Sequence, residues 1–287
     1  MNATMFVSTF LNGLTVASYL FVLAIGLNLS FGMLRIVNMS HGTFYLLGGY
    51  VGCVIADATK NWWLGFLGAG VIIGVVALLE EVLFLRRARG NSNVETLITL
   101  SVSVIGADVM IWIWGGYPRS ISVPDLFKGQ FRFGNISFPK YNLAIILFAI
   151  IVGIVFWLVL KRTKIGMIIR AGVDNFEITS TIGINIKWLF SLVFAVAGVM
   201  AGLAGVVGGT FQMVSPGNDG TILVYTLLIV IVGGMGSFEG AILGSLIIGL
   251  IYTFGSVLAP QFALFFMFAP AALILVFRPQ GLCGRRR

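Results

Sequence analysis

The feature that most restricts the fold is a succession of apolar runs, each close to the roughly 20 residues that carry a helix across hydrocarbon. They lie at about 9–32, 43–58, 62–85, 94–114, 141–161, 187–211, 219–234, 238–257 and 260–277. A backbone inside a bilayer must satisfy its own hydrogen bonds, so runs of this kind are helices packed on one another. The expected fold is an all-α membrane protein, a polytopic bundle of 8 to 9 transmembrane helices. No stretch between the runs is long enough for a soluble domain with its own core, so residues 1–287 are read as a single transmembrane domain. The 59% of hydrophobic and 10% of charged residues belong to the same class.

Charge gives the expected topology. Arg86, Arg87 and Arg89 form one basic cluster, Lys161, Arg162, Lys164, Arg170 and Lys187 a second, and Arg278 with Arg285, Arg286 and Arg287 a third. With all three cytoplasmic, two and four helices separate them, which is consistent with the positive-inside bias. The N-terminus is then outside and the C-terminus cytoplasmic. Residues 117–140 become the longest external loop, where Arg119, Lys128, Arg132 and Lys140 run against the bias. Pro216-Gly217-Asn218 reads as an external turn, and Pro270 as a kink in the last helix. The formal charge of +8 is spread between apolar runs rather than gathered in a patch, which speaks for topology and lipid contact and against nucleic acid. No cleavage site follows the first run, so it reads as a retained helix. Cys53 and Cys283 are too far apart in this topology to suggest a disulfide.

Several chemistries lack their motifs. No G-x-x-x-x-G-K-[ST] loop is present, so ATP is not bound in the usual phosphate cradle, and any ATP use falls to other subunits. A single histidine excludes an H-E-x-x-H metal site, no serine sits in a G-x-S-x-G elbow, and no cofactor or metal is expected. Asp108 is the clearest ionisable residue deep in a run; facing inward, it needs a partner such as Arg35 or an asparagine.

Glycines four apart, Gly48 and Gly52, Gly198 and Gly202, Gly240 and Gly244 among them, allow the close helix approach on which packing in lipid depends. Two segments interrupt the apolar pattern. Leu34 to Thr43 places Arg35, Asn38, Ser40 and the lone His41 between two runs and reads as a helix break facing the bundle interior. Arg162 to Asn185 mixes polar and apolar residues over 24 positions and suits a short helix from about 165 to 181, stopped at Gly183.

Three stretches resemble one family. They are Gly166-x3-Arg170-Ala171-x3-Asn175-x7-Gly183-Ile184, "GGMGSFEGAILGS" from Gly233 to Ser245, and "NMSHG" from Asn38 to Gly42. Together they resemble the membrane permease of branched-chain amino-acid ABC transporters, in particular its LivH type; urea and amide importers use close relatives. Met39 and Ser40 stand where that family usually has Phe and Ala, and Arg35 departs from an expected apolar residue. The resemblance implies a multi-pass bacterial inner-membrane subunit that works by alternating access. Its partners would be a second, LivM-type permease, two cytoplasmic ATPases that use the ATP, and an extracytoplasmic substrate-binding protein. Residues 162–185 would be the coupling helix, with Gly166, Arg170, Ala171, Asp174, Asn175, Glu177 and Gly183 at the ATPase; alternatively Arg170 binds anionic headgroups. Asn38, Ser40 and His41 would either line the route of a small zwitterionic substrate or satisfy backbone groups freed by the break. Tyr45, Thr96, Asp108 and Gln212 are further pathway candidates. An ATP-independent channel or a secondary transporter are the readings from other classes.

Overall fold

The computed structural model describes residues 2–34, 37–134, 136–174 and 185–284. Nine helices occupy the nine apolar runs, and their ends follow local capping chemistry. The first, α1 (Ala3–Leu34), begins earlier than the run at 9, because Asn2 O already accepts from Phe6 N–H at 3.0 Å and no breaker intervenes. Chain direction reverses before α2 (His41–Thr59) and again at Lys60, before α3 (Trp62–Glu80), whose first amides at Trp63 and Leu64 are capped by Asn61 Oδ1. This third helix continues through a π-turn, Glu81–Leu85, and a last turn, Arg86–Ala88. Asn91 then caps α4 (Ser92–Trp114).

The loop expected at 117–140 contains a β-hairpin, β1 (Gln130–Phe133) against β2 (Ile136–Pro139), antiparallel with Phe131 opposite Phe138. It leads into α5 (Lys140–Arg162). A sharp corner at Thr163 starts α6 (Lys164–Asp174), the described part of the helix expected between 165 and 181. Asn185 caps α7 (Ile186–Phe211), and α8 (Asn218–Gly233) follows. Ser237 caps α9 (Phe238–Leu258), and α10 (Ala263–Phe277) carries Pro270.

Seven of the helices among the described residues are long and apolar enough to cross a bilayer: α1, α3 with its extension, α4, α5, α7, α9, and α10 with the short turn before it. Neither α2 nor the 16-residue α8 is among them. The axis of the bundle is α1 and α7, whose spans are 78% and 72% buried, against 11% for the peripheral α4 and α10. α7 runs between α2 and α3, and α1 packs along α5, α7 and α9. These contacts are closest at glycine: a side-chain carbon at Gly48 would lie 2.5 Å from Gly202 Cα. Gly198 sits against Ala77, Gly52 against Val206, Gly240 against Gly233 O and Gly244 against Ile229 O, none with room for a methyl group.

One end of the bundle holds Arg86, Arg89, Lys161, Arg162 and Lys164, and is called the basic end below. There Glu81, fully buried, accepts from Arg86 Nη2 at 3.3 Å, Arg89 Nη2 at 2.5 Å and Ser191 Oγ at 2.5 Å, which ties the end of α3 to α7. Arg89 also stacks on Phe190 of α7, 4.1 Å from the ring centre. Part of the basic cluster is therefore neutralised internally.

Candidate functional site: where two helix starts meet

Residues 37–40 turn back from the end of α1, and α2 begins with the His41 side chain level with the middle of α1: its Nε2 lies 3.0 Å from Leu23 O. A carbonyl only accepts, so Nε2 carries the hydrogen, while Nδ1 has no partner among the described residues. Asn38 Oδ1 accepts Ser40 N–H at 3.0 Å, an Asx-type turn that shapes the break. Met39 N–H donates to Thr99 Oγ1 at 3.1 Å, while the Thr99 hydroxyl donates to Thr96 O at 3.0 Å on its own helix, so α4 takes up a backbone group that no helix serves here. Asn38, Ser40 and His41 are at most 1% exposed, and in this conformation none of them presents surface to a solute.

Ser40 Oγ lies 2.6 Å from Asn38 Oδ1 and 3.0 Å from each carboxyl oxygen of Glu80 in α3. The Ser40 amide fixes Oδ1 as the acceptor end of Asn38, so the hydroxyl points its one hydrogen there. The remaining contact, hydroxyl oxygen to carboxyl, then needs a hydrogen from the carboxyl. Hydrogen counting thus makes Glu80 a neutral donor to Ser40.

The second interruption lies between α7 and α8. Residues 212–217 are held by antiparallel bonds between Val214, which is buried, and Arg119. Pro216-Gly217-Asn218 leads into α8 and delivers its start to the start of α2. Gly42 packs against the Asp219 carbonyl, and Thr43 Oγ1 donates to Asp219 Oδ2 at 3.3 Å while sharing a hydrogen with Ser103 Oγ of α4 at 2.8 Å. Asp219 is in the first turn of α8, where free amides favour a negative charge.

Glu80, Glu81, Asp219 and Glu95 are all at most 9% exposed, so Asp108 is not the main ionisable group in the spans. The carboxylates were missed because each sits near the end of an apolar run, where hydropathy places it at the surface; paired acidic residues at the end of the third run were the available signal. Asp108 itself lies on the exposed face of α4, without a hydrogen-bond partner among the described residues. Arg35, its suggested partner, is outside those residues.

Tyr45 is buried, its hydroxyl filling the space a side chain at Gly208 would need. Thr96 donates to Ser92 O on its own helix, and Gln212 is exposed just past α7. The structure brings Asn38, Ser40 and His41 to the junction; Tyr45 packs on α7 at Gly205 and Gly208, and Thr96, Asp108 and Gln212 are not brought there.

In α6, Gly166 packs against the carbonyls of Val159 and Leu160 at the corner with α5, where a side chain would collide. Arg170 and Ala171 are half-buried and Asp174 is the last helical residue. Asn175, Glu177 and Gly183 lie outside the described residues.

A family model described as branched-chain amino acid transport system / permease component matches residues 9–277. The chain belongs to this permease family. The permease is 28% identical to the high-affinity branched-chain amino acid transport system permease protein LivH of Escherichia coli K12, over 98% of this chain and 96% of that protein. It is 26% identical to the corresponding permease BraD of Pseudomonas aeruginosa, over 96% and 94%. A more distant relative, the galactofuranose transporter permease YtfT of Escherichia coli, is 25% identical over 78% of this chain and 62% of its own length. No solved structure matches the permease. Its relatives are transporter subunits rather than enzymes, the family serves ABC importers that work with ATPase and substrate-binding partners, and the seven apolar spans make it a multi-pass protein of the bacterial inner membrane.

Proposed function

We propose that the chain, acting as one transmembrane domain, forms half of the translocation route of an ATP-driven importer for branched-chain or other apolar amino acids. The observation that carries this reading is the junction itself. Two helices start inside the bilayer side by side, with Thr43, Ser103 and Asp219 between them. Interrupted helices of this kind are tolerated at membrane depth where backbone is buried in protein or borders a cavity, and they are common at transporter substrate sites. Asn38, Ser40 and His41 hold the break in place, and the substrate passes between α4 and a second permease.

The second permease, of the LivM type, covers α4. Asp108 lies six residues, about 9 Å, from the end of that helix, amid Val104, Ile105 and Trp112, all more than half exposed. Left against lipid, a carboxylate is costly, by about 2.5–3.5 kcal/mol at a helix centre and less toward its end; a partner removes that cost. ATP is bound and hydrolysed by two separate ATPases docked on the segment 162–185 at the basic end, which is cytoplasmic, with the N-terminus outside. Their closure reverses which side of the route is open. Purification of the tagged chain from its native membrane tests the assembly: two ATPases and a second permease should accompany it, and the reconstituted complex should take up leucine only with ATP. Uptake by the chain alone without ATP would refute the proposal.

A further inference from the structure

A cavity of about 830 Å³ opens at the basic end between α1, α5, α6 and the tail after α10. Its lining is two-sided: Phe31, Phe156 and Leu160 are apolar, while Asn28, Lys161 and Arg170 are polar. The tail forms one wall, held by Leu282 N–H and Cys283 N–H, which donate at 2.9 Å to the last carbonyls of α8 at Val232 and Gly233. A second, apolar groove of about 470 Å³ runs over α1 between α5 and α9, floored by Leu14, Ala17 and Phe21. Trp157 and Phe238 line both, so the two spaces adjoin end to end.

Among the described residues, the first cavity is lined by two cations and one anion, Lys161, Arg170 and Glu239. Lys161 pairs with Glu239 at 3.2 Å, leaving Arg170 as the second cation. The Arg170 Nη1 is buried and has no hydrogen-bond partner among the described residues. A buried guanidinium nitrogen left without an acceptor is costly, and the planar fork of the group matches a phosphate. Along α1, from Asn28 to Leu14, the paired spaces extend fourteen residues, about 21 Å. That exceeds the roughly 15 Å of hydrocarbon in one leaflet.

We infer that this is a binding site for an anionic phospholipid of the leaflet at the basic end. Its phosphate sits at Arg170 with Lys161 beside it, and one acyl chain lies in the groove between α5 and α9. The site ties α6 to lipid through Arg170, leaving the other residues of the 162–185 segment to the ATPases.

Trp157, at the join, provides the readout. The full chain is placed in vesicles containing phosphatidylglycerol or phosphatidylcholine with brominated acyl chains, and quenching of tryptophan fluorescence is compared. Brominated phosphatidylglycerol should quench more, and the excess should vanish in Trp157→Phe, which keeps the other five of the six tryptophans. Arg170→Gln should weaken the excess about fivefold, the effect of losing one basic contact of about 1 kcal/mol at an anionic headgroup. Gly153→Leu, which projects a side chain into the groove and leaves the cations in place, should abolish it. Equal quenching by the two lipids, or an excess undiminished by Arg170→Gln, overturns the assignment. So does an excess seen with the isolated chain and absent from the assembled transporter, which would give Arg170 to an acidic side chain of a partner.

Discussion

The proton assigned to Glu80 can be tested through stability. Glu80→Gln keeps the shape of the side chain and puts an N–H donor where the carboxyl hydrogen would be, so the Ser40 contact survives. Glu80→Ala removes that donor and leaves a cavity beside a 0% exposed serine. A buried polar group that loses its partner costs about 1–3 kcal/mol, and a truncation of this size adds a cavity term of roughly 1 kcal/mol. The expected order is a change within about 1 kcal/mol for Glu80→Gln and a loss of about 2–4 kcal/mol for Glu80→Ala. Ser40→Ala should fall between them, since it strands the carboxyl while Asn38 Oδ1 keeps the Ser40 amide. Denaturant titration of the purified chain in mixed micelles, followed by circular dichroism, measures all three. If Glu80→Gln is as damaging as Glu80→Ala, the carboxylate is charged, the serine hydroxyl points to it, and the hydrogen count is wrong. A double mutant of Ser40→Ala with Glu80→Ala gives a second check: two groups in one hydrogen-bonded set should lose less together than the sum of their separate losses.

Further outcomes follow from the same geometry. Gly202→Leu should abolish folded protein in the membrane, because its side chain would enter α3 at Ala69 O and Ile73; normal yield and a monodisperse gel-filtration peak would refute the packing. Asp108→Leu should leave the yield of the chain unchanged and reduce co-purification of the second permease, and undiminished recovery of that partner would remove α4 from the interface. His41→Ala takes away one hydrogen bond to Leu23 O, about 1 kcal/mol, and transport should fall only in proportion to the protein present; a larger loss per molecule would place His41 on the route. Cysteine introduced at Lys128 should react with an impermeant reagent from outside, and cysteine at Lys164 should not; the reverse pattern inverts the topology.

The helices could be read from the sequence because hydrocarbon leaves so few options for a backbone: a run of about 20 apolar residues becomes a helix whatever its neighbours are. The break at Leu34 to Thr43 was visible for the same reason, since Asn38, Ser40 and His41 are too polar to be left against lipid. Their partners were not visible. Glu80 is forty positions from Ser40 and Asp219 is 176 from Thr43, and no periodicity links residues on different helices. Hydropathy placed α8 to within a residue, but the docking of Gly42 on Asp219, which sets the start of α8 beside that of α2, has no signature in a turn rich in Pro and Gly. A polar residue in an apolar run therefore implies that some acceptor or donor must exist nearby, and the three-dimensional packing decides which. Here it chose carboxyl groups, on α3 and α8, so the two helix starts are held by side chains that would separate if those helices moved apart.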